Sequence, residues 1–174
     1  MPVVALPDPS LVVLIGPAGA GKSTFAARHF GTDEILSSDA YRAIVGRGEH
    51  DQAATRAAFS ALHREVRRRL AAGRLTVVDA TNVERHARVA LIRLARSARV
   101  PAVAIVLDLP PDVVAARNAA RRPRTVDPTV VRHHLGLLRR TVDRGLLAAE
   151  EFRALYVIRS PRELDAIEVI RRRG

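Results

Sequence analysis

The 174-residue sequence has no cysteine, no tryptophan, one methionine and one lysine. Without cysteine there is no disulfide framework and no thiolate metal site. With only Tyr41 and Tyr156 as tyrosines, few rings are available for nucleobases to stack on, so base-specific readout is not expected. No stretch approaches the ~20 consecutive apolar residues that span a bilayer, so no membrane partner is expected. The opening MPVVALPDPS lacks the charged and apolar regions of a secretory signal. The expected location is therefore cytoplasmic. At 48% hydrophobic, residues 1–174 are expected to form one domain around a sizeable core.

The basic residues are unevenly chosen and unevenly placed. Of 29 Lys and Arg residues, all but Lys22 are arginine, and the formal net charge is +11. Residues 1–60 hold 5 basic and 6 acidic side chains, leaving 24 and 12 for residues 61–174. That excess suits a phosphate-rich partner. A bias that exchanged lysine for arginine would account for the ratio but not for the net charge.

Apolar runs of strand length at Leu11–Ile15, Leu75–Val78, Val103–Leu107 and Leu155–Ile158, with a short one at Glu34–Leu36, alternate with stretches of helical periodicity. Helices are predicted over Lys22–Phe30, Gln52–Ala71 and Ala87–Ala98. Two more should begin at Pro111 and Pro128, and a last one should follow Ser160-Pro161-Arg162-Glu163, a capping box. Arg171–Arg173 are expected near the C-terminus of that last helix, where positive charge is favourable. The alternation predicts an α/β fold, three-layered, with a mainly parallel central sheet.

Gly16-x-x-x-x-Gly21-Lys22-Ser23 matches the phosphate-binding P-loop pattern, between a buried strand and a helix as that pattern requires. The glycines let the backbone curl so that successive N–H groups point inward, and the helix N-terminus adds its positive end. Gly16, Ala18, Gly19, Ala20, Gly21, Lys22, Ser23 and Thr24 are thus the candidate contacts for ATP or another nucleoside triphosphate. Ser23 would offer a hydroxyl to Mg²⁺ and Lys22 would reach between two phosphates. That task asks for a compact ammonium, which explains why the one lysine stands here.

What happens to the phosphate must be read elsewhere. Asp39 and Arg42, three apart, would share one side of a helical turn. The same spacing fits a helix cap with an exposed neighbour equally well. Asp79 ends a predicted strand, where an acid can hold a metal-bound water or cap the next helix. Arg117, Arg121 and Arg124, with Arg122 beside them, lie at a helix–loop junction. They fit either a clamp on phosphate or a solvated basic face.

Together GPAGAGKSTFAARHF, SSDAYR, TVVDATN and AARNAARRPR resemble the 5′-OH polynucleotide kinase module of bacterial polynucleotide kinase–phosphatase enzymes, which heal RNA ends. More distantly they resemble the phage polynucleotide 5′-kinase. The likeness extends through HDQ at 50–52 and through YVIRSPRELDAIEV. It implies a P-loop kinase-like fold with a helical, arginine-bearing lid at about 117–128. It implies Asp39 as general base toward a 5′-hydroxyl, Arg42 on a phosphate in the active site, and Arg117, Arg121 and Arg124 closing on the donor. Lys22 and Ser23 would meet the donor phosphates and Mg²⁺. Asp79 is carried as a further metal contact, without a single assigned role. The implied substrate is a 5′-OH RNA or DNA end, and the implied partners are the phosphatase and ligase modules of a longer protein. The chain ends where the kinase module ends, so it is expected to be either an excised domain or a stand-alone kinase. Two other readings use the same loop: a kinase of small alcohols, and a non-catalytic nucleotide-binding module.

Overall fold

A computed structural model describes residues 2–45 and 52–173. His50 and Asp51 of the HDQ triplet lie outside the described residues. Strand β1 (Val3–Asp8) leads into β2 (Leu11–Ile15), whose five residues are all buried. Helix α1 (Lys22–His29), strand β3 (Ile35–Ser37) and helices α2 (Ser38–Val45) and α3 (Gln52–Ala71) follow. Then come β4 (Thr76–Asp79), α4 (Arg85–Ser97), β5 (Ala102–Leu107), α5 (Pro111–Ala120) and α6 (Pro128–Asp143). A single 3-10 turn precedes β6 (Ala154–Ile158), α7 (Pro161–Ala166) and β7 (Glu168–Arg173).

Five strands form one parallel sheet in the order β3-β4-β2-β5-β6. A strand buried on both faces needs apolar side chains in both directions, and LVVLI, TVVD and AVAIVL supply them. Val12, Leu14, Val103 and Ile105 pack on one side with Phe25, Val114 and Leu164. Val13, Ile15, Val78 and Val106 pack on the other with Leu62, Val66 and Leu91. These two clusters give the three layers predicted from the sequence. Helix α6 joins both: Val131 and Leu135 belong to the first cluster and Leu138 to the second. The sheet therefore has the α/β, mainly parallel architecture of P-loop kinase structures. Its order reverses at β2, where ligands of open α/β sheets gather beyond the strand ends.

The structure differs from the sequence reading at both ends of the chain. Strand β1 pairs in parallel with β7 from Val3↔Glu168 to Asp8↔Arg173, forming a separate two-stranded sheet. Arg171–Arg173 therefore lie in a strand, and helix α7 has already ended at Ala166. The reason is pairing: Val4 and Leu6 are buried in alternation, and the Tyr156 hydroxyl clamps Ala5, accepting from its N–H and donating to its carbonyl, each at 3.1 Å. Arg171 is then taken up by a bidentate pair with Glu34, at 2.7 Å for both bonds. The capping box is present with one change. Ser160 accepts from the Glu163 N–H at 3.1 Å, but Glu163 reaches back to the N–H of Arg159, at 2.8 Å, rather than to that of Ser160. No helix among the described residues is long and apolar enough to cross a membrane.

Candidate active site

The loop from Gly16 to Ser23 leaves the C-terminal end of β2 at the point where the sheet order reverses. Gly19 and Gly21 adopt φ of 85° and 98°, the left-handed region that β-carbon-bearing residues disfavour. Gly19 has a second reason to lack a side chain. A β-carbon there would meet the Val114 carbonyl oxygen at 2.6 Å and the Asn118 nitrogen at 2.9 Å, so α5 lies directly on the loop. Ala18 and Ala20 are buried, whereas Ser23 and Thr24 face outward at the start of α1.

Lys22 is buried, and its Nζ donates to the carbonyls of Gly16 at 2.8 Å and Pro17 at 2.9 Å. Burial lowers its pKa to about 8, opposed by the nearby Asp79 carboxylate; Arg121 adds to the lowering and Asp39 opposes it. Three candidate residues from three separate segments thus share the electrostatic field of one ammonium.

Ser23 Oγ donates to Asp79 Oδ2 at 2.6 Å. A hydroxyl and a carboxylate side by side at a phosphate loop are hard oxygen donors of the kind Mg²⁺ takes alongside phosphate and water. These two residues fit the ion. Among the described residues no cluster of three or more His, Cys, Asp and Glu side chains could hold a metal, and a nucleotide-borne Mg²⁺ requires none.

Asp39 stands in the first turn of α2. Its Oδ1 is 3.6 Å from Arg42 Nη1 and its Oδ2 is 3.7 Å from Arg121 Nη2. Arg42 also lies over the Phe59 ring of α3, 5.7 Å from its centroid. Arg117 projects from α5 onto the loop, its Nη1 donating to the Ala20 carbonyl at 3.4 Å. Helix α5 ends at Ala120, so Arg121 and Arg124 belong to the following loop. Arg124 is exposed and, among the described residues, makes no ion pair. Lys22, Ser23, Asp79, Asp39, Arg42, Arg117 and Arg121 thus form one connected group about the loop, which Arg124 does not join.

A family model described as AAA domain matches residues 11–144. The chain belongs to this AAA-domain family. The match includes the loop, Asp39, Asp79 and the arginines at 117–124. No curated protein matches the sequence. Solved structures similar to this AAA-domain chain include a component of the Pnkp1/Rnl/Hen1 RNA repair complex, with a TM-score of 0.69 and 22% identity over 78% of this chain. The chain spans 46% of that component's length. A sugar kinase from Janibacter sp. HTCC2649 superposes with a TM-score of 0.60 and 21% identity, covering 90% of each chain. Kti12 from Chaetomium thermophilum, solved with ADP-AlF3, has a TM-score of 0.61 and 17% identity over 89% of this chain and 93% of its own. At these identities the likeness is one of fold.

Three further groups support the site: Asn82 and Asn118, which lie in the TVVDATN and AARNAARRPR motifs without a role readable there, and Arg88, which carries no local signal. Asn82, with φ of 50°, is buried and donates to the Leu14 carbonyl at 2.8 Å, while its neighbour Thr81 accepts from the Gly16 N–H at 2.9 Å. The segment after β4 therefore braces the root of the loop. Arg88 underlies that brace. It is buried, donates to the carbonyls of Asn82 at 3.0 Å and Val83 at 2.7 Å, and makes a bidentate pair with Glu150 at 2.8 and 2.7 Å. Asn118 is buried beneath Gly19 and pins Val126, donating to its carbonyl at 2.7 Å and accepting from its N–H at 3.1 Å. Beside β5, Asp108 faces Arg139 at 3.7 Å and Arg159 at 3.5 Å; with Pro110 and Asp143 they line a cavity of about 280 Å³.

Proposed function

We propose that the chain is a polynucleotide 5′-hydroxyl kinase, transferring the γ-phosphoryl group of ATP or another nucleoside triphosphate to a 5′-OH RNA or DNA end. The observation that carries this reading is Asp39, a half-exposed carboxylate on a different segment from the P-loop yet within the field of Lys22 and beside Arg121. A nucleotide-binding module alone has no need of an acid there. The basic excess of the chain favours a polyanionic acceptor over a small alcohol.

In this reading Asp39 accepts the proton of the 5′-hydroxyl as its oxygen bonds to the γ-phosphorus. The bond from that phosphorus to the β,γ-bridging oxygen breaks, and the diphosphate leaves. Lys22, released from the Gly16 and Pro17 carbonyls, offsets charge on the donor phosphates. Ser23 and Asp79 would hold Mg²⁺, which supplies neutralisation of phosphate charge. Arg117 and Arg121 add fixed positive charge above the loop, the clamp that phosphoryl transfer uses in place of covalent chemistry. Arg42 would meet a phosphate of the acceptor, and residues 117–128 would act as the lid.

The test is transfer from γ-labelled ATP to a 5′-OH oligonucleotide, with sugars and nucleosides as competing acceptors. Asp39→Ala should lower turnover by about 10²–10⁴-fold, the range for a positioned acid–base group, with nucleotide binding retained. Near-normal turnover in that variant would remove Asp39 from the mechanism. Phosphorylation of a sugar in preference to the oligonucleotide would overturn the substrate.

A further inference from the structure

We infer that the outer face of α3 is the track along which the acceptor polynucleotide's backbone approaches Asp39, with Arg56, Arg64 and Arg67 as its phosphate contacts. This rests on the kinase reading above and names where its substrate lies. All three arginines are exposed, and among the described residues none has an ion-pair partner. The only acidic side chain of α3, Glu65, is consumed by its own helix: it pairs with Arg68 at 2.7 Å and Arg69 at 2.9 Å, which hold its pKa down at about 2. Among the described residues, the remaining face is uncompensated positive charge.

Its position joins it to the site. Phe59 of α3 lies under Arg42, and Arg42 pairs with Asp39. At 100° per residue, Arg56 and Arg67 fall within about 20° of one another and Arg64 about 60° further round, away from the buried Ala58, Leu62 and Val66. From Arg56 to Arg67 the helix rises about 16 Å at 1.5 Å per residue, room for several phosphates. The few aromatic rings suit backbone contact without base readout.

The test compares the wild-type chain with Arg56→Gln/Arg64→Gln/Arg67→Gln on 5′-OH acceptors of two and ten nucleotides. The control is Arg93→Gln/Arg99→Gln/Arg153→Gln, which removes the same charge on α4 and ahead of β5 and β6. The α3 variant should shrink the decamer's advantage in kcat/KM over the dinucleotide by about tenfold at low salt. It should also lower the slope of log affinity against log salt by about 2, the value for three single-strand contacts. The control should keep both. Equal losses in the two variants, or no loss in the α3 variant, overturn the track. Fluorescence anisotropy of the labelled decamer separates the two proposals. If no 5′-OH acceptor is phosphorylated by any form, the kinase reading falls; a decamer still released by the α3 variant alone supports the track, and equal binding by all three forms overturns it.

Discussion

Replacing Gly19 by alanine separates two reasons for glycine in the phosphate loop, and Gly73 provides the comparison. Both are left-handed, with φ of 85° at Gly19 and 69° at Gly73. A β-carbon at Gly73, in the turn before β4, has nothing within 4 Å, whereas at Gly19 it would sit 2.6 Å from the Val114 carbonyl oxygen and 2.9 Å from the Asn118 nitrogen. The left-handed conformation costs a non-glycine residue about 1–2 kcal/mol, partly offset by the reduced freedom of the unfolded alanine variant. Gly73→Ala should therefore lose about 1 kcal/mol. At Gly19 the obstructing atoms are backbone, so no rotamer change relieves them, and overpacking adds about 1–3 kcal/mol. Gly19→Ala should lose roughly 2–4 kcal/mol in all, a fall in Tm of about 4–16 °C for a chain of this size. Urea unfolding followed by circular dichroism gives both values, and nucleotide titration should show weaker binding in the Gly19 variant alone. If the two variants lose stability equally, to within about 0.5 kcal/mol, α5 does not press on the loop as described and the argument for close approach fails.

Two further outcomes follow from the same geometry. Because burial lowers the Lys22 pKa from 10.5 to about 8 and bound phosphate favours the ammonium, nucleotide binding should take up a proton above that pH. Affinity should fall about eightfold between roughly pH 7.5 and pH 9, as the protonated fraction drops from about 0.76 to about 0.09. Calorimetry with nucleotide and a metal chelator measures it, and a flat profile would contradict the buried lysine; phosphate's own ionisation near pH 6 lies outside this window. Glu150→Ala strands the buried Arg88 guanidinium without its partner and should cost about 3–5 kcal/mol. Replacing both, as Arg88→Met with Glu150→Leu, should cost less, and chemical denaturation of the two variants decides it.

The parts of the site that were legible in the sequence are those whose chemistry demands a contiguous pattern. A loop that wraps phosphate needs glycines at fixed intervals, and a strand buried on both faces needs an unbroken apolar run. Hence GPAGAGKST, LVVLI and AVAIVL could be read directly, and Pro111 and Pro128 marked the helix starts they occupy. Asp39 could be found, but its approach to Arg121, 82 residues away in sequence and adjacent in space, could not. The terminal strands were missed for a related reason. VVALPD contains a proline, and EVIRRR ends in three arginines, so each looks weak until it is laid beside the other. Arg88 and Glu150 gave no signal because an arginine on a helix is ordinary until it is found to be buried.

Asn118 meets both backbone groups of a single residue, Val126, as a neighbouring strand would, and so adds one rung of a ladder between a helix and a loop. The amide both gives and receives there, which an ionised carboxylate cannot, so Asn118→Asp would lose the donation to the Val126 carbonyl. With Ala120 closing α5 at one end and Val126 held at the other, residues 121–125 form an arc fastened at two points. Within the arc Thr125 Oγ1 donates to the Arg121 carbonyl at 2.7 Å, and Arg121 reaches out to Asp39 at 3.7 Å. Of the proposed 117–128 lid, the part left to close over a nucleotide would be this short bow, and α6 need not leave the two cores it joins.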